Sequence, residues 1–172
     1  MSVVAVKINP DYVEICSDSI CIMGHTQRTD QDKEEAKLFV AGNLVVGGVG
    51  SAEELCLFKQ FLTHYKTKPL TTEEIVVLLC SFNEWLKDKF NLDLENDYIF
   101  VDKLTGKVFS SSGYYVTQIK NYEAIGAGCY HASTALYLGH SAKDAVRVAC
   151  KLTIYCELPL HSHRVKTNGK KK

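Results

Sequence analysis

The sequence predicts an α+β fold in which two antiparallel sheets lie on each other with a helical layer outside each. Three observations carry that expectation. The chain has 172 residues, 46% of them hydrophobic and only 3 of them proline, which suits one well-buried core and is too short for two ordinary domains. Strand-like and helix-like stretches come in segregated runs of four strands, two helices, four strands and two helices, an order that fits neither a doubly wound sheet nor a helix bundle. At Ser51 the apolar period changes abruptly from alternation to helical spacing.

Val3 to Ile8 and Tyr12 to Ser17 are β-branched runs separated by Asn9-Pro10-Asp11, three strong turn formers, and should pair as a hairpin. A polar segment, Gly24 to Glu35, reads as a loop. Lys37 to Ala41 and Leu44 to Gly48 form the next two strands, joined by Gly42-Asn43, which tolerates the positive φ of a tight turn. Ser51-Ala-Glu-Glu54 is a capping box, after which Leu55, Phe58, Leu62 and Tyr65 line one helical face. A second helix opens at Thr71-Thr-Glu-Glu74, with Leu70 and Ile75 placed as a hydrophobic staple, and ends near Phe90.

Strands return at Tyr98 to Val101, Lys107 to Ser110, Tyr114 to Ile119 and Tyr122 to Ile125, expected to make the second sheet among themselves. A short helix from about Cys129 to Leu138 stops at Gly139, and a last one opens at Ser141-Ala-Lys-Asp144. Residues 1–158 are therefore expected to form one domain and residues 159–172 a basic, flexible tail.

Twenty basic residues balance twenty acidic ones, but from Arg164 onward there are five basic residues and no acidic one, leaving 15 basic against 20 acidic before it. No field draws such a chain to nucleic acid or an anionic membrane, so neither is expected as a partner. With no apolar run near the ~20 residues of a spanning helix and no signal-peptide pattern, a cytoplasmic protein is expected. Of seven cysteines without a CxxC pair most fall in apolar stretches and read as small hydrophobes, and His161 and His163 lack a second ligand pair at zinc spacing; no metal or cofactor is expected. Cys129 and His131 read as helix-start residues, and Phe58, Phe61, Phe82 and Trp85 as core or inter-subunit packing.

Several local motifs occur together in a characteristic order: MSVVAVK at the start, Ser17-Asp18-Ser19, Lys37-Leu-Phe39, Val46-Gly-Gly-Val-Gly-Ser-Ala52, Ala124-Ile-Gly-Ala-Gly128, and Ser141-Ala-Lys-Asp144 with Leu152-Thr-Ile-Tyr155. In this the chain resembles the proteasome β-subunit family, most closely its HslV-type peptidases. The resemblance implies a four-layer αββα sandwich, the N-terminal-nucleophile hydrolase fold, and an endopeptidase of the threonine/serine type. It also implies a homo-oligomeric ring that takes unfolded polypeptide from an ATP-dependent unfoldase.

In active members the free α-amine of the first mature residue accepts the proton of that residue's own hydroxyl, which attacks a peptide carbonyl. By resemblance Ser2 becomes that residue once Met1 is removed. Asp18 takes the family's acidic position at the family's separation from Ser2, Lys37 its lysine, and Gly47 its oxyanion donor. Lys33 is the alternative lysine, ranked second because it would turn Glu35 and Lys37 toward the core. Two features favour an inactive homologue with a structural ring role. Ala127 stands where the family has a proton-handling serine, and MSVVAVK overlays the family's opening without a gap only if Met1 takes the nucleophile's place. A third possibility is a small-amide hydrolase using the same chemistry.

Overall fold

A computed structural model describes residues 1–23, 26–28, 37–65 and 69–167. Its element order is β1 (Val4–Ile8), β2 (Tyr12–Ser17), β3 (Cys21–Met23), β4 (Thr26–Arg28), β5 (Leu38–Ala41), β6 (Leu44–Val49), α1 (Ala52–His64), α2 (Thr72–Phe90), β7 (Asp97–Asp102), β8 (Val108–Ser112), β9 (Tyr115–Ile119), β10 (Tyr122–Ile125), α3 (Cys129–Tyr137), α4 (Ala142–Leu152) and β11 (His161–Lys166). The strands form a four-stranded sheet ordered β10-β1-β2-β11, a five-stranded sheet ordered β5-β6-β7-β8-β9, and a small ribbon of β3 and β4.

The layers follow from how each strand divides its side chains. Val3 and Ala5 face the α3–α4 layer, whereas Val4 and Val6 face the other sheet. On the opposite sheet Leu44, Val46, Tyr98 and Phe100 face α1 and α2, while Val45, Ile99 and Val101 face inward. Alternation therefore hides inside near-continuous apolar runs, because both faces of these central strands are covered. The result is the expected αββα sandwich. Its largest aromatic cluster centres on Phe58, whose ring lies 4.6 Å from Phe82 and 4.7 Å from Tyr98.

Strand membership differs from the sequence order in a way that matters for the site. The first hairpin does not share a sheet with the second. β1 pairs with β10 through Val4↔Ile125 and β2 pairs with β11 through His161↔Ser17, while β6 joins β7. Local turns fix hairpins, but the partner of a hairpin's free edge is chosen by long-range packing. The expected flexible tail is likewise corrected: six of its residues are β11, held where the Arg164 guanidinium donates to buried Glu14 at 2.8 and 2.9 Å and lies over the Tyr12 ring. Part of the expected 24–35 loop is β4, paired with β3; residues 24–25 and 29–36, and the chain end from 168, lie outside the described residues.

The helix starts form where expected. Ser51, Thr71 and Ser141 each cap a helix by accepting the N–H of the residue three positions on. Leu70 and Ile75 are both buried, as the staple requires. Replacing Thr71 by alanine should cost about 1 kcal/mol of stability, measured by urea denaturation. One capping box is completed differently from the pattern: Glu54 does not return to Ser51 N–H, which donates instead to Asn96 Oδ1.

Candidate active site

The site sits where β1 begins, at the end of the sandwich where β2, β6 and the loop after β10 converge. Asp18, fully buried just past β2, is its most constrained group. Its Oδ1 accepts from Val3 N–H at 2.9 Å and from the Lys37 ammonium at 2.7 Å; its Oδ2 accepts from Ile20 N–H and Glu157 N–H, each at 3.2 Å. A buried carboxylate with four donors is satisfied, and it ties the start of β1 to the turn after α4.

Lys37 lies one residue before β5, fixed there because Gly48 N–H donates to its carbonyl at 3.0 Å. The Lys37–Asp18 ion pair is therefore present, with only 11% of the lysine side chain and none of the aspartate exposed. Lys33 lies outside the described residues. Burial holds the Lys37 ammonium below its ordinary value of 10.5, with Asp18 pulling the other way. Between the folded value and 10.5 the unfolded chain binds more protons than the folded one. The contribution of Lys37 to stability thus rises with pH across that window and is smallest below it. The difference in unfolding free energy between the parent protein and Lys37→Met should shift accordingly as pH is raised into the alkaline range, and a flat difference would contradict this.

Ser2 is buried, and its hydroxyl donates to the Met1 carbonyl. Its own carbonyl accepts Gly128 N–H at 3.1 Å. Gly126, at φ +92°, lies directly on that carbonyl: a Cβ added there would stand 2.5 Å from Ser2 O and 3.1 Å from Val49 Cγ1. Asp18 thus reaches Val3, the neighbour of Ser2, while the glycine turn holds Ser2 from the other side. Ala127, between the two glycines, is exposed and offers only a methyl group.

Gly47 lies within β6, opposite Leu38 and Ile99 on its two flanking strands. A Cβ at this position would meet Val4 Cγ1 at 2.7 Å and Leu38 Cδ2 at 2.8 Å. The absent side chain makes room for inter-sheet packing, which is a different reason for glycine from the expected approach of a substrate carbonyl.

Sequence reading missed the amides of Ile20 and Glu157 as Asp18 partners: the first is a local contact of the Asx type, two residues on, whereas no local pattern marks Glu157, 139 residues away. It also passed over Ser17. This residue is fully buried opposite Val4, and its hydroxyl has no hydrogen-bond partner among the described residues. Beside Asp18, Ile20, Cys150, Cys156 and Glu157 help line a cavity of about 430 Å³. Burial raises the Cys156 thiol to about 12 and the Cys150 thiol to about 11, so both are neutral near pH 7. Among the described residues no group of three or more His, Cys, Asp or Glu side chains is placed to hold a metal, and no helix is long and apolar enough to cross a membrane.

No family model matches the sequence, and no curated protein matches it either. Solved structures do. Thiobacillus denitrificans BPH, a bacterial proteasome homologue, superposes with a TM-score of 0.86 at 18% identity, over 96% of this chain and 98% of that one. The same protein in complex with epoxomicin gives 0.86 at 17% identity, over 96% and 99% of the two chains. Eukaryotic HslV from Trypanosoma brucei gives 0.68 at 17%, over 95% and 99%. At such identities the likeness speaks for architecture: the chain has the αββα fold of the proteasome β-subunit and HslV type.

Proposed function

We propose that this chain is a ring-forming peptidase subunit of the proteasome/HslV kind, acting in the cytoplasm, in which Ser2 hydrolyses peptide bonds of unfolded proteins once its α-amine is free. The observation that carries the reading is the buried Lys37–Asp18 pair, anchored through Val3 N–H immediately beside Ser2. A lysine–aspartate pair inside an apolar sandwich carries a desolvation cost, which supports a functional role for it.

In this reading the Ser2 α-amine takes the hydroxyl proton as Oγ attacks the substrate carbonyl, and the Lys37 ammonium stabilises the charge on Oγ. The amine then passes the proton to the leaving nitrogen as the C–N bond breaks, leaving an ester on Ser2. Water, deprotonated by the same amine, cleaves that ester and restores the hydroxyl. Asp18 keeps Lys37 charged and in place. Gly47 is the proposed oxyanion donor, for which its N–H must turn out of the ladder it shares with the flanking strands. Identical subunits would enclose the sites, and an ATP-dependent unfoldase would deliver the polypeptide.

The test is the mass of the purified protein with and without epoxomicin, the compound bound by BPH in its solved complex. Loss of Met1 and an adduct mapped to Ser2, absent in Ser2→Ala, is the expected result; a folded protein that retains Met1 and binds nothing would contradict it. A second reading, a non-catalytic ring homologue, is favoured by the exposed Ala127 methyl. It predicts ring assembly unchanged in Ser2→Ala with no peptide hydrolysis in either protein.

A further inference from the structure

We infer that Glu54 and Asn96 form a buried clamp that positions the β6–α1 corner against the Ser2 backbone, making Asn96 a positioning residue for the proposed reaction. Glu54 is 3% exposed and Asn96 1%. The Glu54 carboxylate accepts from Glu95 N–H at 2.9 Å, from Asn96 N–H at 3.1 Å and from the Tyr98 hydroxyl at 2.8 Å. The Asn96 side chain then grips both main-chain groups of one residue: its Oδ1 accepts Ser51 N–H at 2.5 Å and its Nδ2 donates to Ser51 O at 2.9 Å. Gly50 is shaped to admit it. At φ +127°, a Cβ there would stand 2.1 Å from Asn96 Oδ1.

The corner so held carries Val49, whose Cγ1 packs on Gly126, and Gly126 rests on the Ser2 carbonyl with no space for a methyl group between. Contacts and the Gly50 backbone therefore link Glu54 through Asn96, Ser51, Val49 and Gly126 to Ser2. Helix capping alone does not require this: Ser51 Oγ already caps α1 by accepting Glu54 N–H. A carboxylate and an amide buried together to fix one two-residue corner are explained by the need to hold that corner in register with the opposite sheet.

The inference rests on the peptidase reading for its kinetic consequence but not for its structural one, and the experiment separates them. Amide hydrogen exchange is compared in the full-length protein, Asn96→Ala, the milder Tyr98→Phe, and Thr71→Ala, which weakens α2 at a distance from the corner. Asn96→Ala should speed exchange at residues 49–51 and also across the interface at 126–129, Tyr98→Phe should do so less, and Thr71→Ala at neither. Acceleration confined to 49–51 and 94–98 would overturn the clamp whether or not the protein is a peptidase. In the same proteins, labelling of Ser2 by a hydroxyl-reactive peptide electrophile should slow about tenfold or more in its saturating rate for Asn96→Ala, with half-saturation unchanged, because misplacement rather than lost binding is the defect. Equal saturating rates in the parent and Asn96→Ala would also overturn it, while a parent protein that is never labelled refutes the peptidase reading and leaves the exchange result to decide the clamp.

Discussion

An Asp18→Ala variant is expected to lose roughly 3–5 kcal/mol of stability, the cost typical of breaking a buried ion pair from one side. The carboxylate serves three main-chain amides besides Lys37, from Val3, Ile20 and Glu157, so its removal leaves those donors and a largely buried ammonium without an acceptor. Lys37→Met should cost less, because Asp18 keeps its three amide donors and the methionine stem fills much of the space. Asp18→Asn, which retains an oxygen for Val3 N–H, should fall between them. Urea denaturation of the three variants gives the order directly; Lys37→Met as damaging as Asp18→Ala would show that the ion pair, rather than the amide contacts, carries the stability.

Gly126→Ala is the second large effect. Alanine at φ +92° is strained by about 1–3 kcal/mol. Its Cβ would also lie 2.5 Å from the Ser2 carbonyl, a main-chain atom that cannot rotate aside, and overpacking of this kind adds about 1–3 kcal/mol more. Gly113→Ala is the comparison that separates the two contributions: its φ is also positive, +54°, but nothing lies within 4 Å of the added methyl. A loss for Gly126→Ala no greater than for Gly113→Ala would remove the evidence that the glycine turn presses on Ser2.

The elements were legible in the sequence because their signals are local. The caps at Ser51, Thr71 and Ser141, the Gly42-Asn43 turn and the apolar faces of the helices are all decided within a few residues. Asp18 and Lys37, each singled out by resemblance, form an ion pair at 2.7 Å in the structure. What escaped is non-local. Nothing near Tyr122 announces that β10 pairs with β1, and HSHRVK alternates too weakly to declare itself a strand until buried Glu14 provides a partner for Arg164. The capping box misled for the same reason, since Glu54 finds better donors on a loop some forty residues away than on its own helix. Gly47 shows the limit of motif reading: the residue type suits both an oxyanion donor and a tight packing site, and only its neighbours Val4 and Leu38 reveal the second.

The place of β1 in the middle of its sheet has a consequence for synthesis on the ribosome. Strand β1 is flanked by β2 on one side and by β10 on the other, and Asp18 waits for Glu157, 139 residues later, to complete its shell of donors. At ~5–20 residues per second the segment between them takes about 7–28 s to emerge. Until β10 emerges within that interval, β1 has only its hairpin partner and its other edge is unpaired. The candidate site is consequently incomplete until Glu157 has emerged, and a nascent chain has no means of acting before then.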